Sequence, residues 1–175
     1  MKKLLFILIV SIIYSACTNR TAGIHEMAKN DSSSVSFPYT ADYSSKFSIG
    51  SDSNSLAVLN SYKAWETGDM DALKNTIGDS VSFYFSDGQN FKGTRDSMMY
   101  YASKFRDSLS KVDLKIDAWI PLHSEDKNED WVSVWYTEID THKNGKVDSA
   151  YYQEDNRIDG NRKIVFVSSK KQALK

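Results

Sequence analysis

The stretch WETGDMDALKNTIGDSVSFYFSDGQNFKGTRDSM, residues 65–98, decides the fold. Gly68 stops a helix that carries Leu56, Leu59 and Tyr62 on one row and Val58, Tyr62 and Trp65 on another, with Ser53 or Ser55 as its cap. Asp69 caps a second short helix that turns Met70, Leu73 and Ile77 inward, and Gly78-Asp79 breaks it. Ser80 to Ser86 sets Val81, Phe83 and Phe85 against Ser82, Tyr84 and Ser86, the period of two of a half-buried strand. Asp87-Gly88 is a turn signal. Thr94 caps a third helix, whose Met98, Ala102, Phe105 and Leu109 form an apolar stripe.

Downstream of that stretch the pattern is sheet. Val112, Leu114, Ile116, Ala118 and Ile120 alternate with Asp113, Lys115, Asp117 and Trp119, and Pro121 is expected to end the strand. His123 to Asp130 reads as a charged loop. Trp131 to Asp140 follows as a strand, with Trp131, Trp135 and Ile139 on one face and Val132, Val134 and Tyr136 on the other. Asn144-Gly145 is a hairpin turn, Val147 to Ile158 the return strand, and Lys163 to Ser168 the last strand after the Asp159-Gly160-Asn161 turn. Helices first, one strand, another helix and then long antiparallel strands define an α+β class: a cone-shaped domain with N-terminal helices packed on a long curved antiparallel sheet.

Upstream the reading changes character. Met1-Lys2-Lys3 is followed by the apolar run Leu4–Ile13, too short to span a bilayer and suited to a secretory signal. Tyr14-Ser15-Ala16 leads to Cys17, the one cysteine of the 175 residues. This resembles a bacterial lipoprotein signal, with Tyr14 where the usual box has an aliphatic residue. The resemblance implies cleavage after residue 16 and lipidation of Cys17. Thr18 rather than Asp follows the cysteine, which implies an outer-membrane lipoprotein facing the periplasm. Loss of residues 1–16 leaves 20 basic against 23 acidic side chains. Attachment to anionic lipid would then depend on the acyl chains rather than on charge.

Residues 17–36 hold few large apolar side chains and read as the lipidated cysteine and a flexible tether. Residues 37–52 are expected to be an ordered extended lead-in, because Phe37, Tyr39, Ala41, Tyr43, Phe47 and Ile49 all fall on odd positions. The domain proper is 53–175.

Composition narrows the function classes. Near-equal charge, 22 basic against 23 acidic residues with no basic block, argues against a nucleic-acid partner. A single cysteine excludes an internal disulfide and a cysteine-based zinc site. Asp140-Thr-His142-Lys-Asn144-Gly145 echoes the start of a calcium loop, but strands flank it and a hairpin turn accounts for Asn144-Gly145, so no metal and no cofactor is expected.

The helix ending at Gly68-Asp69, the Gly-Asp-x-x-x-Leu second helix, DSVSFYFSDG and FKGTRDSM resemble the start of the nuclear transport factor two-like superfamily, which includes the SnoaL-like proteins. Asp159-Gly160 stands where that superfamily has its last hairpin turn. The resemblance covers about residues 53–170. It implies a cone enclosing a pocket and, in the enzymatic members (isomerases, dehydratases, cyclases), acid–base chemistry by Asp, Tyr or His inside it. A sheet-mediated homodimer is a further implication, in which Trp131 and Trp135, or Tyr136, would be interface.

No histidine falls within a predicted strand of the domain; His123 and His142 read as turn residues. The catalytic candidates are Tyr84, Glu154 and Asp155, and since strand faces alternate, only one of Glu154 and Asp155 can point inward. Trp65, Tyr84, Trp119, Trp135, Tyr151 and Gln153 are the candidates to line the cone and bind a ligand. Two functions stay open: a lipid-anchored envelope protein that binds a small apolar ligand or a protein partner, and an acid–base enzyme. An acid and a donor converging inside the pocket would separate the second from the first.

Overall fold

The computed structural model describes residues 36–173. The signal, Cys17 and nearly all of the tether lie outside the described residues. Residues 36–38 belong to a separate unit ending at Pro38 and are exposed. From Tyr39 onward the chain forms one body. Among the described residues no helix is long and apolar enough to cross a membrane.

The elements run β1 (Phe47–Ile49), α1 (Asp52–Thr67), α2 (Met70–Thr76), β2 (Ile77–Tyr84), β3 (Asn90–Thr94), α3 (Arg95–Arg106), β4 (Leu109–Ser124), β5 (Glu129–His142), β6 (Val147–Ile158) and β7 (Ile164–Ala173). The seven strands make one sheet in the order β1-β4-β5-β6-β7-β2-β3. All neighbours are antiparallel except β2 and β7, which pair in parallel. The three helices pack on this mostly antiparallel, curved and open sheet, the expected α+β cone.

The lead-in forms a strand over only its last part. Tyr39 and Ile49 are exposed, and only Phe47–Ile49 pairs as a strand, with Leu122–Ser124. Tyr43 is nevertheless anchored: its ring meets Trp131 edge-on at 5.9 Å and its hydroxyl bonds Glu129. An alternating pattern needs a partner edge to become a strand, and β4 offers one only to the last residues.

Helix starts follow local capping chemistry. The α1 cap is Ser51, in extended conformation, accepting from the Ser53 amide at 3.2 Å; Ser53 and Ser55 fall inside the helix, and Ser55 is buried. Asp69 accepts from the Ala72 amide and Thr94 from the Ser97 amide, as expected. Gly68 ends α1 at φ +75°, a left-handed position that suits glycine. The buried row of α1 is Val58 and Tyr62, whereas Leu56 faces solvent.

Pro121 does not end its strand. It sits within β4 opposite Val132, and its carbonyl accepts from the Gly50 amide, just past the end of β1. The missing donor therefore points to a place where no ladder bond is required. The closed end of the core is Val58, Val132, Val134, Tyr136, Ile158 and Val167, joining α1 to β5, β6 and β7.

Candidate functional site

The helices and the concave face of the sheet enclose a cavity of about 490 Å³, within the size range of small-molecule sites. Its walls are apolar. β2 contributes Val81 and Phe83, the stretch just after it Phe85, and α3 Met98, Ala102 and Phe105. The floor is polar and comes from alternate residues of three neighbouring strands: Tyr136 and Glu138 of β5, Tyr152, Glu154 and Asn156 of β6, and Ser169 of β7. The register puts Tyr136 opposite Tyr152, Val134 opposite Glu154, and Glu154 opposite Ser169, so the period of two carries every floor residue to one face.

α1 supplies the two side chains that close the floor. The Tyr62 hydroxyl donates to the Glu154 carboxylate at 2.6 Å. The nearly fully buried Asn156 amide reaches the Tyr62 oxygen at 3.4 Å and the Val132 carbonyl at 3.3 Å. Tyr62 packs edge-on to Tyr136 at 5.0 Å, and Tyr136 stacks on Tyr152 at 5.2 Å. Trp65 donates its indole N–H to Glu138 at 3.0 Å and lies parallel to Phe105 at 6.1 Å. Arg106 fixes that helix end by donating to the Trp65 and Glu66 carbonyls at 3.0 and 3.1 Å.

Two carboxyls thus stand in an apolar cavity, and burial governs both. Burial is the main force raising Glu154 above the ordinary carboxyl range, opposed by hydrogen bonds from Tyr62, Ser169 and Tyr136. Burial pushes Glu138 up to about 8, against the Trp65 bond; Asp140, two residues on along the same strand face, and Glu154 add to the rise. Asp140 is itself raised, again chiefly by burial, and its buried Oδ1 has no donor in the structure. Tyr62 and Tyr136 are both pushed well up by burial and stay neutral donors.

No family model matches the chain, and no curated protein matches it. Solved structures do. An NTF2-like protein of unknown function from Exiguobacterium sp. 255-15 superposes with a TM-score of 0.57 at 14% identity, over 67% of this chain and 99% of that one. A putative polyketide cyclase from Xanthomonas campestris gives 0.54 at 16%, over 68% and 90%. A Mycobacterium tuberculosis protein in complex with estradiol-17beta-hemisuccinate gives 0.54 at 10%, over 66% and 91%. The domain has the nuclear transport factor two-like fold.

Within this fold the sequence candidates scatter. Trp65 and Glu154 line the cavity. Asp155 takes the opposite face, where it accepts from Ser133 at 2.6 Å and meets Lys170 at 3.4 Å. Trp135, Tyr151 and Gln153 share that outer face with it, as the same alternation requires. Tyr84 also leaves the cone: it is half exposed and packs on Phe166 at 5.3 Å.

Trp119 departs for a different reason. The β4–β5 register shifts between Ile116 and Ala118, so Asp117 is an extra residue and the alternation inverts beyond it. Trp119 therefore lands on the helix side, yet outside the main cavity, in a shallow groove with Leu59 and Ile116. Tyr136, an interface candidate by sequence, is in the cavity floor instead. Trp131 is on the outer face, where Arg157 lies 5.9 Å from its ring. His123 pairs with Asp130 at 2.8 Å and His142 with Asp148 at 2.9 Å, both away from the cavity lining.

Glu138, Tyr62 and Asn156 were not among the sequence candidates. Glu138 shares its strand face with Val132, Val134 and Tyr136, but Trp131, Trp135 and Ile139 make the other face as apolar, so the strand alone does not single it out.

Proposed function

We propose that the cone is a binding cavity for a small, mainly apolar molecule with one polar group. The observation that carries this reading is a cavity of about 490 Å³ whose walls are hydrocarbon and aromatic and whose floor concentrates the polar atoms. The Mycobacterium tuberculosis protein of the same fold is in complex with estradiol-17beta-hemisuccinate, a molecule with a large apolar body. The full chain is expected to bind 1-naphthylmethanol by calorimetry. Ala102→Trp, which projects an indole from α3 into the cavity, should lower the affinity at least tenfold (about 1.4 kcal/mol or more) while the melting transition persists. Equal affinity in the variant would place the probe elsewhere and sink the reading.

A second reading is favoured by one group. Glu138, held at about 8, is suited to give and take a proton near neutrality. That is the requirement of an acid–base enzyme such as the cyclase named for the Xanthomonas neighbour. Exchange of the α-protons of 1-tetralone in D₂O, lost in Glu138→Gln, is expected under this reading, and binding alone does not produce it.

The chain is proposed to act as a lipoprotein of the cell envelope, anchored through Cys17 to the outer membrane and facing the periplasm. The support is the basic start, the short apolar run and the placement of the only cysteine. Radiolabelled palmitate fed to expressing bacteria should enter the protein and be absent from Cys17→Ser. Label retained in that variant rules out this anchor.

A further inference from the structure

Resting on the binding reading above, we propose that the molecule the cone selects is an amine: an apolar body against the Phe85, Met98 and Phe105 walls and a protonated nitrogen at Glu138. Charge is the first ground. Two carboxylic acids line the cavity, and among the described residues no Lys, Arg or His does. An anionic ligand would meet two acids and no partner. Lys171 lies close by, over the Tyr152 ring at 5.5 Å, and its field acts on Asp140.

The second ground is the unequal state of the two acids. Glu154 is already held by the Tyr62 hydroxyl at 2.6 Å, and Tyr136 and Ser169 also favour its charged form. Glu138 has one donor, the Trp65 indole at 3.0 Å, and its neighbour Asp140 has an oxygen with none. An ammonium group brings the donors that this end lacks.

Aromatic surroundings are the third ground. Trp65 and Phe105 lie stacked beside Glu138, and the Tyr136–Tyr152 pair lies on the neighbouring strand positions. Ring faces attract a cation, more so where water is excluded. The floor is long enough to give such a ligand direction. By register Glu138 and Glu154 are four residue steps apart along the strands, about 14 Å between their backbones. The nitrogen would therefore choose the Trp65 end of the cavity and the body would run toward Glu154.

Three probes with one ring system test this on the full chain at neutral pH: 1-naphthylmethylamine, 1-naphthylmethanol and 1-naphthoate. The amine is expected to bind at least tenfold tighter than the alcohol, and the acid weakest. Glu138→Gln, which keeps an acceptor for Trp65, should bring the amine-to-alcohol affinity ratio down to about twofold or less. If the alcohol equals or exceeds the amine in the unaltered protein, the amine inference falls while the binding reading stands. If Glu138→Gln keeps the full preference, the nitrogen is elsewhere and the inference falls as well. If none of the three binds, both fail together. The amine-to-alcohol ratio is read on the unaltered chain, so the test does not depend on the variant folding.

Discussion

Raising the pH from about 5 to about 9 is expected to remove about 4 kcal/mol of folding stability, and Glu138→Gln to remove most of that slope. The sign follows from proton counts. The unfolded chain releases the Glu138 proton near the ordinary value of 4.5, whereas the folded chain holds it to about 8. Between those values the unfolded state binds fewer protons, so every rise in pH favours it. The contribution is intact below about 4.5 and gone above about 8. The gap of about three and a half units, at about 1.4 kcal/mol each, sets a ceiling near 5 kcal/mol.

That ceiling belongs to the Glu138–Asp140 pair rather than to either acid, since the two lie two residues apart on one strand face and each acts on the other's ionisation. Trp65 from α1 opposes the shift by favouring the carboxylate, Glu154 from β6 strengthens it, and Lys171 from β7 steadies Asp140. Asp140 and Glu154 are raised too and act in the same direction. Glu66, lowered by its bonds from Lys63 and from the Leu114 amide, acts oppositely, but its stabilisation is lost only as pH falls toward and below its ordinary 4.5. Urea unfolding at pH 5.5, 7 and 8.5 reads the slope. A flat or rising profile in the unaltered protein, or an unchanged slope in Glu138→Gln, would show that the acid is not held protonated by the fold.

The order of elements and the alternation of each strand were legible because both depend on local chemistry. Gly68, Asp69, Thr94 and Asn144-Gly145 act within a few residues of themselves, and Val147 to Ile158 is bounded as its pattern indicates. The site was less legible. Val132, Val134 and Tyr136 share a face with Glu138, but Trp131, Trp135 and Ile139 make the other face of β5 as apolar, and only the helices packed against it decide between them. Glu154 or Asp155 could not be chosen from β6 alone, because both of its faces carry tyrosine and acid, and the choice is made by the neighbouring strand. Trp119 was misplaced because a single extra residue at Asp117 inverts the alternation, and nothing in Lys115–Trp119 announces a bulge. Tyr62 was readable as a buried helix residue, but its partner is 92 positions away, a distance across which only the fold can bring them together.

That long-range bond carries the other large effect. Tyr62→Phe is expected to cost about 2–3 kcal/mol, well above what a solvent-facing hydroxyl is worth. The ring remains and keeps its edge contact with Tyr136 at 5.0 Å, so the loss is polar rather than a packing cavity. The hydroxyl does two things at once. It donates to Glu154 at 2.6 Å and accepts from the Asn156 amide at 3.4 Å. Removing it leaves a buried carboxyl with fewer donors and a buried amide with the Val132 carbonyl alone. An orphaned buried group costs about 1–3 kcal/mol, and a bond to a charged acceptor contributes about 1.5–3. Glu154 limits the damage by becoming harder to ionise, which keeps the sum near the lower figures. The two residues should therefore be coupled. In a double-mutant cycle of Tyr62→Phe with Glu154→Gln, which keeps an acceptor but cannot ionise, the coupling energy should reach about 1 kcal/mol or more. Strict additivity, or a cost for Tyr62→Phe below about 0.5 kcal/mol, would mean that this hydroxyl finds water in the cavity as readily as it finds Glu154. In that case α1 is held to the sheet by Val58, the tyrosine ring and the Trp65–Glu138 and Leu114–Glu66 hydrogen bonds.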